Sequence, residues 1–246
     1  METITQFRLP NGEVMRLVDW VDKPLFSTVD LLTGFTDPTI SAFTYNVGEP
    51  VPASNTAGVR RISTELDTNV DVGGAQSSTE ELLIYAIKPE YFELSNDPTN
   101  ATTQVDMTTS QPRLVGQPVP RANILSLLHM SLKLRLIISQ KAYADAGLGW
   151  FNTGFGVMPH GFVEPGTAGA TPRSYATAGL PSQEAVRTFA VPHHIGGTEK
   201  FRVDLVNPPQ DTITFDNETL EGPVAVTALV YRVRIYLDGM RKRPTA

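Results

Sequence analysis

The chain has 246 residues, 41% of them hydrophobic and 19% charged, with 19 glycines, 19 prolines, no cysteine and a formal net charge of −6. That length fits one large all-β domain or two small ones. The lack of cysteine excludes disulfides, thiolate metal ligands and cysteine nucleophiles, and the acidic balance argues against a general nucleic-acid binder, which needs a concentrated positive face.

The opening run METITQFRLPNGEVMRL has no apolar core flanking a cleavage site, so no signal peptide is expected and synthesis is expected in a cytoplasm. Asn100 and Asn217 fit the glycosylation pattern but are discounted on that ground. No apolar run approaches the roughly 20 residues needed to cross a bilayer.

In chain order, strands are expected at Val14–Val18, Ile40–Val47 and Arg60–Glu65. Leu82–Ile87 is apolar on both faces, as a central or covered strand would be. Residues 92–120 read as a long polar loop with four prolines. Arg121–Met130 has Ile124, Leu127 and Leu128 on one helical stripe and predicts a short helix. In Ser131–Ser139, Leu132, Leu134, Leu136 and Ile138 alternate with Lys133 and Arg135, the period of a half-buried strand. Residues 147–184 read as a second long loop, carrying Trp150, Phe151, Phe155, Met158 and Phe162 among glycines. Further strands are expected at Val186–Val191, Phe201–Leu205 and Asp211–Phe215.

The last expected strand starts near Val224. Leu229, Tyr231, Val233, Ile235 and Leu237 share one face, with a phase change near Ala228 that suggests a bulge. Asp238-Gly239 is expected to end it in a turn. Residues 232–246 hold five basic side chains and one Asp, so a mildly acidic chain carries a cationic tip at Arg241, Lys242 and Arg243. No βαβ alternation is present. The fold class expected is all-β: a jelly-roll β-sandwich of about eight antiparallel strands, with long loops and at most one or two short helices. Residues 1–246 are read as one domain, with segment 1–35 and tip 239–246 as candidate arms.

Catalytic constellations are thin. His193 and His194, with His160 and His129, are the only metal-like set. Adjacent strand residues point to opposite faces, however, and the H-x-H spacing of a cupin is missing. Glu80/Glu81, Asp67/Asp71 and Asp204/Asp211 are carboxylate pairs that sequence does not place in a cleft. Asp67-Thr-Asn69 with Asp71 lacks the calcium-loop glycine and terminal Glu, and Asx-turn chemistry accounts for it. Gly73-Gly74 and Gly196-Gly197 lack the lysine of a phosphate loop. No catalytic, cofactor or metal site is expected, and the chain is expected not to be an enzyme.

Four phrases carry a resemblance: Phe43–Pro50 (FTYNVGEP), Thr64–Asn69 (TELDTN), Lys141–Tyr143 with Gly149–Phe151, and Arg234–Gly239 (RIYLDG). In this order they resemble jelly-roll capsid or capsid-associated proteins of bacterial viruses. The resemblance implies a virion structural protein made in the host cytoplasm, assembling with copies of itself and other virion proteins. Trp150, Phe151 and Phe155 on the 147–184 loop, and Arg241, Lys242 and Arg243 at the tip, are the expected contact residues. The tip would meet an acidic partner, nucleic acid or lipid headgroups. The competing expectation is a carbohydrate- or receptor-binding sandwich that stacks sugars on Trp150 or Phe151 of the same loop.

Overall fold

The computed structural model describes residues 6–8, 12, 14–16, 20–32, 36–54, 61–75, 80–95, 128–151, 153–155, 162–164, 173–175, 181–208 and 229–242. In chain order the strands are β1 (Gln6–Arg8), β2 (Val14–Arg16), β3 (Trp20–Asp22), β4 (Leu25–Leu32), β5 (Thr39–Ala42), β6 (Leu82–Ser95), β7 (Lys133–Ile138), β8 (Lys141–Gly147), β9 (Thr153–Phe155), β10 (Phe162–Glu164), β11 (Arg173–Tyr175), β12 (Pro181–Val186), β13 (Thr188–Ile195), β14 (Phe201–Val206) and β15 (Leu229–Lys242). Nine of them form two sheets. One runs β13-β6-β15, with β3 and β4 sharing the far side of β15. The other runs β5-β14-β7-β8. The pairings within both sheets are antiparallel. Short ribbons β1-β2, β10-β11 and β9-β12 account for the rest.

The period-two pattern explains the core. Leu134, Leu136 and Ile138 of β7 point inward while Lys133 and Arg135 point out. Leu205, Val203 and Phe201 of β14 lie opposite them in register. Facing this layer are Leu25, Val29 and Leu31 of β4, Leu82, Ile84 and Ile87 of β6, and Val233, Ile235 and Leu237 of β15, all in one cluster. Two antiparallel sheets sharing one core make an all-β sandwich. Each fully buried Leu, Ile or Val contributes roughly 1.5–3 kcal/mol to holding the layers together. The sheets are stacked with β4 beside β5, where the Phe43 amide donates to Ser27 Oγ at 2.9 Å. At the other side β8 lies beside β13, where the Tyr143 and His193 rings meet edge to face at 5.2 Å.

The two longest strands, β6 and β15, form the spine. Leu82–Ile87 is indeed central, between β13 and β15. Its apolar residues on both faces follow from a bulge: Asp238 pairs with Ala86 but Gly239 pairs with Ile84, leaving Tyr85 extra. Inward residues are thus Leu82 and Ile84 before the bulge and Ile87 and Tyr91 after it. Leu83 packs outward with Trp20, Tyr85 and Met240. Gly239 is where this geometry needs a glycine, because a Cβ there would overlap the Leu83 carbonyl. The expected turn at Asp238-Gly239 is therefore corrected: β15 continues through Lys242, paired with β6 and β3.

Several other boundaries differ. β6 extends to Ser95, four residues into the expected 92–120 loop. The 147–184 stretch is not irregular throughout, since β9 to β11 and most of β12 lie in it, after a 3-10 turn at Leu148–Trp150. The expected strand Ile40–Val47 stops at Ala42, where Phe43 adopts a positive φ of 66° and the chain leaves the sheet. Over the expected Arg60–Glu65 strand, the described residues make only an isolated bridge, between Ile62 and Pro50. Strands β4 and β8 were not expected at all. Segment 1–35, read as an arm, contributes β3 and β4 to the main sheet. Of the expected helix, residues 128–131 are helical; Ile124 and Leu127, the strand Asp211–Phe215 and the phase change at Ala228 lie outside the described residues.

Candidate interaction surface

β4 forms one edge of its sheet, and an edge strand presents backbone groups that invite pairing with another chain. Here a loop of the same chain takes them up. The Tyr45 hydroxyl accepts from the Thr28 amide at 3.0 Å and donates to the Thr28 carbonyl at 2.7 Å. The Asp30 amide donates to the Pro52 carbonyl and the Asp30 carbonyl accepts from the Ser54 amide, both at 2.9 Å. The Phe26 amide donates to Asn69 Oδ1 at 2.7 Å, and the Phe26 carbonyl accepts from the Asn69 amide at 3.3 Å. At Phe26, Thr28 and Asp30, both outward backbone groups are satisfied.

An ion network fastens this loop. Arg61 Nε donates to Asp30 Oδ2 at 2.7 Å, and its terminal nitrogens reach both oxygens of Asp67 at 2.6 and 2.8 Å. Arg232 of β15 donates to Asp30 Oδ1 at 3.0 Å. Burial alone would push Asp67 up. Hydrogen bonds from Arg61 and from the Thr64 amide outweigh it and hold the carboxyl at about 2. Arg61 shows the mirror effect: burial works against its charge, but the two carboxylates raise it above its usual value. The tip of the loop points out. Leu66 is 75% exposed and Ile62 58%, and Val47, Glu49 and Glu65 are also exposed.

The opposite side of the sandwich is built from β8 and β13, and neither offers a regular edge. In β8 the register slips between Leu136 and Ile137, so Tyr143 is an extra, bulged residue. In β13 it slips between Thr188 and His193, a stretch that includes Pro192. Bulges and proline are devices that blunt an edge. Side chains project instead. His193 lies between Tyr143, at 5.2 Å, and Phe189, at 4.6 Å, and Lys141 sits 5.3 Å over the Tyr143 ring. Burial lowers the His193 pKa, which favours the neutral ring in this apolar setting. At the end of β8, the Arg187 guanidinium stacks 3.7 Å over Trp150. Tyr143, Trp150 and Val191 are exposed by 44%, 41% and 51%.

The residues anticipated from sequence divide accordingly. Trp150 is on this exposed edge. Phe151 is buried in the core cluster while touching Trp150 at 5.0 Å. Phe155 lies in β9, which the ribbon with β12 anchors. Arg241 is only 5% exposed. It sits on the inward face of β15, opposite Leu82, where its Nε donates to Glu80 at 3.0 Å and its terminal nitrogen also meets Asp71. Lys242 pairs with Glu81. Within the tip, therefore, the acidic groups that meet Arg241 and Lys242 belong to this chain; Arg243 lies outside the described residues. For Glu81, burial would raise the pKa, but Lys242 and His194 lower it.

The histidines do not converge. His193 and His194 pair with Ile84 and Leu83 and so face opposite ways. His194 bonds Glu81 at 2.9 Å. His129 bonds the Tyr91 hydroxyl at 3.1 Å, with its pKa lowered by burial. His160 lies outside the described residues, as does Asp211. Asp204 bonds Ser41 at 2.7 Å and Arg202 at 3.0 Å. Among the described residues there is no group of three or more potential metal ligands, and no helix is long and apolar enough to cross a membrane. Sequence reasoning missed Lys141, Tyr143, Arg187, Glu65 and Leu66 as surface features. The one signal for them was Leu66, an apolar residue isolated in the polar turn Thr64-Glu-Leu-Asp67.

Comparison with known proteins adds no identity: no family model, no curated protein and no solved structure matches the chain.

Proposed function

We propose that this chain is a virion structural protein, a jelly-roll subunit that forms part of the shell of a bacterial virus by self-assembly. It would be made in the host cytoplasm and taken up into the particle. The observation that carries the reading is the contrast at the sandwich edges. Backbone pairing is capped at β4 and broken by bulges at β8 and β13, yet Leu66, Ile62, Tyr143, Trp150 and Val191 stay exposed on those same edges. A subunit that must meet neighbours in one defined way has reason to block strand addition and offer shaped side-chain surfaces. Ion pairs inside the chain take up Arg61, Arg232 and Arg241, which suits a rigid building block.

The sugar-binding alternative is weakened at its central residue. One face of Trp150 is occupied by Arg187, and Phe151, the other residue that would stack on a sugar, is buried in the core cluster. The test is light scattering and negative-stain microscopy of purified protein. Regular rings, sheets or shells are expected. A monomer at every concentration, combined with glycan-array binding lost in Trp150→Ala, would replace this reading with the alternative.

A further inference from the structure

We propose that copies of this chain join head to tail, the loop edge of one copy docking on the aromatic edge of the next. This rests on the shell reading above and specifies its contact. The two surfaces lie on opposite sides of one sandwich. The loop that caps β4 is at one end of the five-stranded sheet and β13 is at the other; β5 and β8 mark the same two sides of the second sheet. The loop edge presents Leu66 and Ile62 with the exposed carboxylates Glu49 and Glu65. The other presents Tyr143, Trp150 and Val191 with the cations Lys141 and Arg187, both exposed. Each edge therefore exposes apolar side chains. Asp145 of β8 is also exposed but is paired with Arg135 at 3.0 Å, so Lys141 and Arg187 make this edge basic where Glu49 and Glu65 make the other acidic.

That opposition selects the second copy and its orientation. A two-fold contact would set the loop edge against itself, bringing Glu49 and Glu65 towards their own copies. It would do the same to Lys141 and Arg187 on the other edge. Like charges juxtaposed at an interface are costly. A heterologous contact pairs acid with base and joins the apolar groups in the same step. Such contacts close into rings or extend into larger lattices, depending on the rotation between subunits. Because the outward backbone groups of Phe26, Thr28 and Asp30 are already bonded within the chain, the join is made by side chains and not by a continued sheet.

The chain has no cysteine, which makes the contact directly testable by crosslinking. Leu66→Cys and Val191→Cys are made singly, mixed, and treated with a short bis-maleimide reagent. The mixture is expected to give a crosslinked heterodimer, and the double variant a ladder of oligomers. Each single variant alone should stay a monomer on the gel. In parallel, Lys141→Glu with Arg187→Glu, or Glu49→Lys with Glu65→Lys, should weaken association at least tenfold by light scattering. Combining all four should restore it. Crosslinking of Leu66→Cys alone as readily as the mixture would overturn the arrangement, as would assembly indifferent to both charge reversals. In those cases the shell reading stands. If the unsubstituted chain never associates, both fall. Circular dichroism of each variant separates lost contact from lost fold.

Discussion

Arg61→Met removes the guanidinium that joins Asp30 to Asp67 and keeps an apolar stem in its place. Asp30 retains Arg232 at 3.0 Å, so the damage centres on Asp67, whose side chain is 4% exposed. The Asp67 carboxyl is held at about 2, against an ordinary value of 3.8. At roughly 1.4 kcal/mol per pKa unit, that shift is worth about 2 kcal/mol of folding stability at neutral pH. Stranding a buried carboxylate adds to the loss, and about 3 kcal/mol in total is expected. A lowered folded pKa means the contribution is full above about pH 4 and disappears as pH falls towards about 2. In Arg61→Met, burial works against the carboxylate with only the Thr64 hydrogen bonds opposing it, so acid relieves part of the penalty. Urea unfolding followed by the fluorescence of Trp20 and Trp150 at about pH 7, 4 and 2.5 measures the gap between the two proteins. It should be widest at pH 7 and shrink below about 1 kcal/mol in acid. A gap that stays constant across this range would show that Arg61 acts by packing alone.

Tyr45→Phe leaves the buried Thr28 amide and carbonyl without their shared partner, and should cost about 1–3 kcal/mol in urea unfolding. It should also speed amide exchange along β4 without slowing it anywhere else. Gly239→Ala places a methyl against the Leu83 carbonyl at the β6 bulge. A loss of about 1–3 kcal/mol is expected, and an unchanged urea midpoint would mean that the bulge relaxes freely. Arg241→Met strips Glu80 of its cation at the end of the core. It should destabilise by about 3 kcal/mol and raise hydrogen exchange at residues 80–84, whereas a solvated tail arginine would show neither effect.

How much of this was legible beforehand depended on where the deciding contact lay. β7 and β14 announce themselves because apolar and charged residues alternate without a break through Leu132–Leu136 and Phe201–Leu205. β4 does not. Its inward row is Leu25, Ser27, Val29, Leu31, and its outward row includes Thr28 and Asp30, all buried. Ser27 there serves the Phe43 amide, and Asp30 serves arginines 31 and 202 residues away. These polar residues interrupt the apolar alternation that marks a strand, and they are the anchors of a covering loop. β8 failed for another reason: alanines form its inward row, and the bulge at Tyr143 disrupts the period. Arg241 and Lys242 looked like a cationic tail because the acids that meet them lie 161 and 170 residues away in sequence. The exposed edge was legible only at Trp150, since its basic members lie far apart in sequence, Lys141 in β8 and Arg187 between β12 and β13.

The misreadings at β4 and at the C-terminal tip share a cause that bears on function. Long-range ion pairs in this chain fasten loops and strand ends to the sheets, so charge is spent on closing the sandwich where it would otherwise be open. Among the described residues the two edges still expose apolar side chains, with Glu49 and Glu65 beside them on one and Lys141 and Arg187 on the other. A protein that only needed solubility would place charge on those edges and bury or omit Leu66 and Trp150. One that associated by strand addition would leave β4 bare. Capped backbone with exposed side chains at opposite ends satisfies neither of those designs, and it matches a subunit whose neighbours must arrive from one direction and leave from the other.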